Sequence, residues 1–329
     1  MARDQIRPAA GALVFPAGGG VELPMEIPKN AAYKALLIRF SDSFTLGGGS
    51  GATATASILE LVQNIRLIAD GKLNLCNCDG FALRELNRIW YGSVPPEDTF
   101  VAVGAPTTYT ANLILPIAPP FLYDDAVGLL PAVPLTGLVL SFNIGTTANL
   151  LTTPSASTHT MTITVETWEI LDLAAQLAVS PMVISQSAHA VVTGNGNRHP
   201  LKRGNRLAGV LMSARSTAAT GNSQIFQAGI IQRLGLEINV PNTGVQTLRN
   251  TGYNENRAFN RIYGSGKFGG QATDLAAGMM YFNFHGDAQK SSPLDVSGAT
   301  DVFLTLDETT VGTNPRVVVT EAEIIPRPV

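Results

Sequence analysis

Charge is what this chain has least of. Asp, Glu, Lys and Arg make up 14% of its 329 residues, against roughly 25% in an ordinary soluble protein. The net charge is −3 and no run of Lys or Arg is present. A basic groove that tracks phosphates is therefore excluded, and no direct sequence-specific nucleic acid binding is expected. No apolar run reaches the ~18–20 residues of a membrane-spanning helix. The opening stretch MARDQIRPAAGALVF lacks a continuous hydrophobic core before its Pro and Gly, so no secretory signal is expected and synthesis in the cytoplasm is. Only two cysteines occur, Cys76 and Cys78. They share one face of a strand-like segment with no neighbouring His or further Cys, which reads as two small buried hydrophobes and not as a zinc site. Aromatics are 7% and form none of the clusters that a sugar-binding groove needs.

Chemistry is equally sparse. The four histidines, His159, His189, His199 and His285, form no HxH or HExxH pattern. His285 with Asp287 is a conceivable general base, but a His at a strand end reads better as a turn residue. Asp124-Asp125 and Glu97-Asp98 offer oxygen ligands for a cation, yet two carboxylates do not make a site, and solvated loop charge is the better reading. The glycine runs at Gly18–Gly20 and Gly47–Gly51 precede no Lys-Ser/Thr, so they read as turns, not phosphate cradles. No catalytic, cofactor-binding or metal-ligating residue is assigned, and no enzyme is expected.

What is present is a repeat. LNRIWYGS at Leu86–Ser93 returns as FNRIYGS at Phe259–Ser265, and the offset from Asn87 to Asn260 is just over half the chain. Upstream of each copy lie a partly alternating strand, a turn (Asp70-Gly71; Pro241-Asn242), more extended chain and a helical patch. The signature itself reads as a helix C-terminus, with Arg88 and Arg261 near the carbonyl end and Gly92 and Gly264 as left-handed caps. Further matches are TGLVLSFNIGTT with ATDVFLTLDETT and VETWEIL with VTEAEII. Their drifting offsets fit loops that change length between fixed strands. With 32 Gly and 20 Pro, the chain reads as all-β: an N-terminal arm over 1–30, a first sandwich over 31–172, a linker over 173–203 entered by a short helix (Asp172–Ala178), and a second sandwich over 204–329. TFVAV at Thr99–Val103 reads as an additional strand, and the apolar excursion Pro116–Pro134 is long for a loop.

The segments IRLIADGKLNLCNCDGFALRELNRIWYG and LGLEINVPNTGVQTLRN…ENRAFNRIYG, each a hairpin followed by a short helix, resemble the double jelly-roll major capsid proteins of tailless icosahedral bacteriophages with an internal membrane, the corticovirus-like and lipid-containing phages. The resemblance implies two tandem jelly-roll sandwiches, each with a short helix. It implies a virion protein forming homotrimers, pseudo-hexagonal capsomers that tile a shell beside neighbouring capsomers, penton and minor capsid proteins. The N-terminal arm and the Pro116–Pro134 loop would then lock neighbours or decorate the exterior, and Arg3 and Arg7 would face the internal membrane. A tandem jelly-roll receptor- or carbohydrate-binding protein, such as a spike or minor capsid component, is the alternative. A cupin-like enzyme is disfavoured by the scattered histidines.

Overall fold

The computed structural model describes residues 4–47, 57–101, 107–120, 129–153, 156–170, 181–218, 224–258, 275–284 and 293–325. Among these residues sixteen strands carry the fold. The first eight are β1 (Asp4–Pro8), β2 (Val21–Glu26), β3 (Ala32–Thr45), β4 (Val62–Ala69), β5 (Leu73–Cys78), β6 (Thr107–Pro116), β7 (Leu138–Ile144) and β8 (Thr158–Ile170). The second eight are β9 (Met182–Ala190), β10 (Gly194–Pro200), β11 (Arg206–Thr217), β12 (Ile231–Val240), β13 (Gly244–Gly252), β14 (Met279–Asn283), β15 (Asp301–Glu308) and β16 (Thr313–Ile324). Two-residue and three-residue strands at Leu13–Val14, Leu130–Pro131, Gln224–Phe226 and Leu294–Asp295 add short ladders.

Each strand of the first set has its counterpart eight places later. The first roll packs the sheet β1-β8-β3-β6 against β2-β7-β4-β5, and the second packs β9-β16-β11-β14 against β10-β15-β12-β13. This order is the double Greek key of a jelly roll, laid down twice. Pairing within each roll is antiparallel and always couples an odd with an even strand. The connections that follow odd strands therefore gather at one end, where the helices lie. The tight hairpin turns gather at the other. At those turns Asp70 (φ 52°), Gly71 (φ 66°) and Asn242 (φ 65°) adopt the left-handed conformation, the local chemistry that Asp, Gly and Asn supply at low steric cost.

Two boundaries differ from the sequence expectation. Residues 4–8 and 21–26, expected in an arm, are the first two strands of the first roll. Residues 182–200, expected in a linker, hold the first two strands of the second. The reason is positional: β1, β2 and β10 end their sheets, at least along the paths of main strands, and edge strands tolerate the Pro, Gly and Asn that argue against a strand. The helix expected over 172–178 lies outside the described residues. TFVAV forms no strand among its described residues; only Glu97 nearby makes an isolated bridge, to Ala111. The described ends of the Pro116–Pro134 excursion are packed inward, with Leu129, Leu130 and Ala132 buried.

The helix α1 (Gly80–Tyr91) behaves as its sequence predicts. Asp79 caps it by accepting the Ala82 N–H at 2.7 Å, and Gly92 ends it at φ 73° with its N–H on the Arg88 carbonyl. Asn87 gives the repeated motif its structural meaning. This fully buried amide donates to the Ile114 carbonyl and accepts the Ile114 N–H, both at 2.7 Å, clipping the helix to β6. An Asn87→Leu variant leaves both part-buried backbone groups without their partner. It is expected to cost about 2–4 kcal/mol in urea unfolding, since each orphaned group costs about 1–3 kcal/mol. The second roll is helical over 253–258, in the same place between its β13 and β14. The second signature, with Asn260, Arg261 and Gly264, lies outside the described residues.

Candidate assembly seam

The two rolls meet along a seam built from strand pairing, a helix and one buried ion pair. Strand β5 of the first roll runs parallel to β9 of the second, with Cys76 opposite Ile184 and Asn77 opposite Ser185. One sheet thus continues from roll to roll. The hydrophobic core crosses with it: Ala208, Leu211, Met279, Tyr281, Ala322 and Ile324 of the second roll belong to the same buried cluster as the first roll's interior.

Asp79 is the polar centre of the seam. Besides capping α1, its carboxylate accepts from Arg215 Nη1 at 2.6 Å and from Gln186 Nε2 at 3.1 Å. Gln186 returns its carbonyl oxygen to the Asp79 N–H at 3.2 Å. Arg215 is 3% exposed, and it also donates to Ser213 Oγ at 2.8 Å and Gln224 Oε1 at 2.9 Å. The guanidinium lies 5.2 Å from the ring of Phe226, which in turn stacks on Phe81 of α1 at 4.4 Å. At the far end of α1, Trp90 Nε1 donates to the Tyr281 hydroxyl at 3.1 Å. Burial pushes the Tyr281 hydroxyl well above its ordinary range, so it stays neutral. Gly209 leaves room for that hydroxyl, because a Cβ there would sit 1.9 Å from it.

The sequence places a helical patch here but does not single out Arg215. The available signal was Arg215 itself, a cation closing the largely apolar run LAGVLMSAR, a pattern that calls for a buried partner.

The candidate chemical residues do not converge. Cys76 and Cys78 are buried free thiols with sulfurs 3.7 Å apart. The bond to Cys76 and burial raise the Cys78 thiol far above its usual range, so it is held protonated. Among the described residues no group of three or more His, Cys, Asp or Glu is placed to hold a metal. Glu97 takes Arg84 and Ser57, and Asp98 takes the Thr110 N–H and hydroxyl, both at 2.7 Å. Both carboxylates are thus engaged in holding the segment after α1. His285, Asp287, Asp124 and Asp125 lie outside the described residues.

The remaining histidines hold loops at the helix-bearing end. His159 is buried between Asp42 Oδ2 at 2.9 Å and the Gly145 carbonyl at 3.0 Å. A carbonyl only accepts, so Nε2 carries hydrogen and the Nδ1–Asp42 contact encloses one proton. Burial raises the Asp42 pKa and the bond to His159 opposes the rise. Gly19 (φ 65°) fits against this pair, where a Cβ would meet the Gly145 oxygen at 1.9 Å. The run Gly18–Gly20 is thus a backbone fit and not a phosphate cradle. In the second roll Glu308 accepts from His199 Nε2 at 2.8 Å, Asn197 Nδ2 at 2.9 Å and the Val192 N–H at 3.3 Å. Burial lowers the neighbouring His189, and His199 adds to the effect.

The outer face of the sheet β1-β8-β3-β6 carries rows of hydroxyls alongside a few charges such as Arg39 and Glu166. Thr162, Ser41 and Thr110 align across three strands, as do Thr160, Ser43 and Thr108. Beside them a cleft of about 540 Å³ opens between Arg39, Tyr91, Pro96, Asn112 and Glu166. No described helix is long and apolar enough to cross a membrane.

No family model and no curated protein sequence matches this chain. Solved structures do. The STIV MCP of Sulfolobus Turreted Icosahedral Virus is 14% identical, with 99% of this chain and 98% of that one covered at a TM-score of 0.74. The major capsid protein of bacteriophage PM2 is also 14% identical, with 98% of each chain covered at 0.58. The Faustovirus major capsid protein is 9% identical, covering 99% of this chain and 89% of that one at 0.57. The likeness spans both rolls, and the double jelly roll is the fold of this chain.

Proposed function

We propose that this chain is the major capsid protein of an icosahedral virus, a structural subunit and not an enzyme. The observation that carries the proposal is the end-to-end likeness to capsid proteins, with both rolls included and 98% of the STIV MCP covered. The seam supports it. Two rolls joined by a shared sheet, a common core and a buried ion pair act as one rigid block, which is what a tile in a shell requires. A surface poor in charge and rich in hydroxyls suits extensive contact with neighbours.

In this reading the chain divides between Ile170 and Met182 into its two rolls, and three copies make a capsomer with pseudo-hexagonal outline. Its partners are neighbouring capsomers, penton and minor capsid proteins, and an internal membrane beneath the rolls. It is made in the host cytoplasm and resides in the virion. Arg7, one of two N-terminal cations that would face that membrane, is already paired with Glu169 at 3.1 Å. That side of the reading therefore rests on other contacts. Light scattering on the purified protein is expected to give three times the 34.7 kDa chain mass, and electron microscopy six-lobed particles. A strict monomer under assembly conditions would overturn the proposal.

A further inference from the structure

The internal repeat makes the seam a template for a second contact. At the seam, the β5 edge of the first roll receives β9, the first strand of the second roll. The same two edges occur once more, unjoined. Strand β13, the second roll's counterpart of β5, ends its sheet, and β1, the first roll's counterpart of β9, ends the other. Among the described residues β13 pairs only with β12, and β1 only with β8.

Side chains on these free edges are the exposed counterparts of buried seam residues. Ile184 on β9 lies opposite Ala322 of β16 and is 1% exposed. Its counterpart is Ile6, because Ile6 lies opposite Trp168, which VETWEIL and VTEAEII place in register with Ala322. Ile6 is 55% exposed. The offset that carries Asn87 onto Asn260 likewise carries Leu75 onto Leu248. Leu75 is 2% exposed and Leu248 is 47% exposed, with Val245 at 56% on the same strand. An isolated molecule thus shows water at both ends the residues it hides in the middle, on unpaired strand edges that proteins normally cover.

We infer that the partner for these edges is a second copy of the chain, joined head to tail: β13 of one copy receives β1 of the next, with Ile6 packed near Leu248. The contact uses two different patches, so it is heterologous and propagates until a ring closes. This inference rests on the trimeric capsomer proposed above and specifies which strands meet in it. It also makes every roll-to-roll contact in the ring a version of the seam.

The test is an Ile6→Cys, Leu248→Cys double variant of the full chain, oxidised and run on a denaturing gel, with light scattering on the unoxidised sample. The native Cys76 and Cys78 are buried, so they supply the background control. The expected result is covalent dimers and trimers from the double variant. Each single variant alone should stay monomeric on the gel, and an equal mixture of the two should stop at dimers. A second variant, Ile6→Glu, is expected to move the scattering mass toward the monomer while circular dichroism keeps its β signature, since Ile6 contributes to no core in the single chain. A stable trimer with no cross-link, indifferent to Ile6→Glu, overturns the strand assignment and leaves the capsid reading standing. A monomer before any oxidation overturns both.

Discussion

Replacing Arg215 with alanine is expected to lower the unfolding free energy by about 3–5 kcal/mol, the range for breaking a buried ion pair from one side. The loss comes less from the attraction itself than from what remains. Asp79 would stay at the seam, with Arg215 no longer present at 2.6 Å to neutralise it. Gln224 Oε1 and Ser213 Oγ would lose a donor, and Phe226 would lose the guanidinium lying against its ring. Removing both charges together should hurt less. An Arg215→Met, Asp79→Asn double variant keeps a side chain able to cap α1 and leaves no charge stranded. Urea unfolding followed by circular dichroism measures all three proteins. The single variant is further expected to separate unfolding into two transitions, because the pair ties α1 of the first roll to β11 of the second. A loss under about 1 kcal/mol, with one sharp transition, would show that water compensates the pair.

The second large effect is a dependence on pH. Burial, chiefly, lifts the Glu321 carboxyl from its ordinary 4.5 to about 7, the nearby Glu323 adds to the rise, and the Lys202 N–H opposes it. Both carboxylates face inward on β16 and hold the turn after β10, Glu321 through the Lys202 N–H at 2.8 Å and Glu323 through Asn205 Nδ2 at 2.8 Å. The folded chain therefore keeps the Glu321 proton to a higher pH than the unfolded chain does. The stability this proton provides is complete below about 4.5 and is lost as pH rises through about 7. At 1.36 kcal/mol per unit, ionised Glu321 costs the fold on the order of 3 kcal/mol above pH 7. A Glu321→Gln variant, which still accepts the Lys202 N–H, should melt higher than the parent at pH 8 and equally at pH 4. Parallel melting curves at pH 4, 6 and 8 check the sign. A variant less stable than the parent at pH 8 would mean that the carboxylate is solvated or paired.

Much of the architecture was legible along the chain. The hairpin at Asp70-Gly71, the helix after Asp79 and its stop at Gly92 are local events, set by residues a few places apart. Repetition of NRI-aromatic-GS then marked the duplication, and the matched pairs such as VETWEIL and VTEAEII fell on true counterparts, β8 and β16. The first two strands of each roll were not legible. β1, β2 and β10 carry Pro, Gly and Asn, and they become strands because a long neighbour offers its edge, not because their own residues prefer extension. Asn87 looked like part of a cap and proved to be a clip onto Ile114, since its partner lies 27 residues away.

By itself, then, the sequence determined the class and the doubling: low charge, abundant turn formers, alternating strands and a repeated helix stop are short-range properties that survive in a string of letters. Only the tertiary structure decided how the two copies join. The pairing of β5 with β9, the meeting of Asp79 with Arg215 across 136 residues, and the exposure of Ile6 where Ile184 is buried all depend on long-range packing. Equivalent residues in two rolls carry the same local signals whether the partner edge belongs to the same chain or to another, and only the folded molecule shows which edges are already filled.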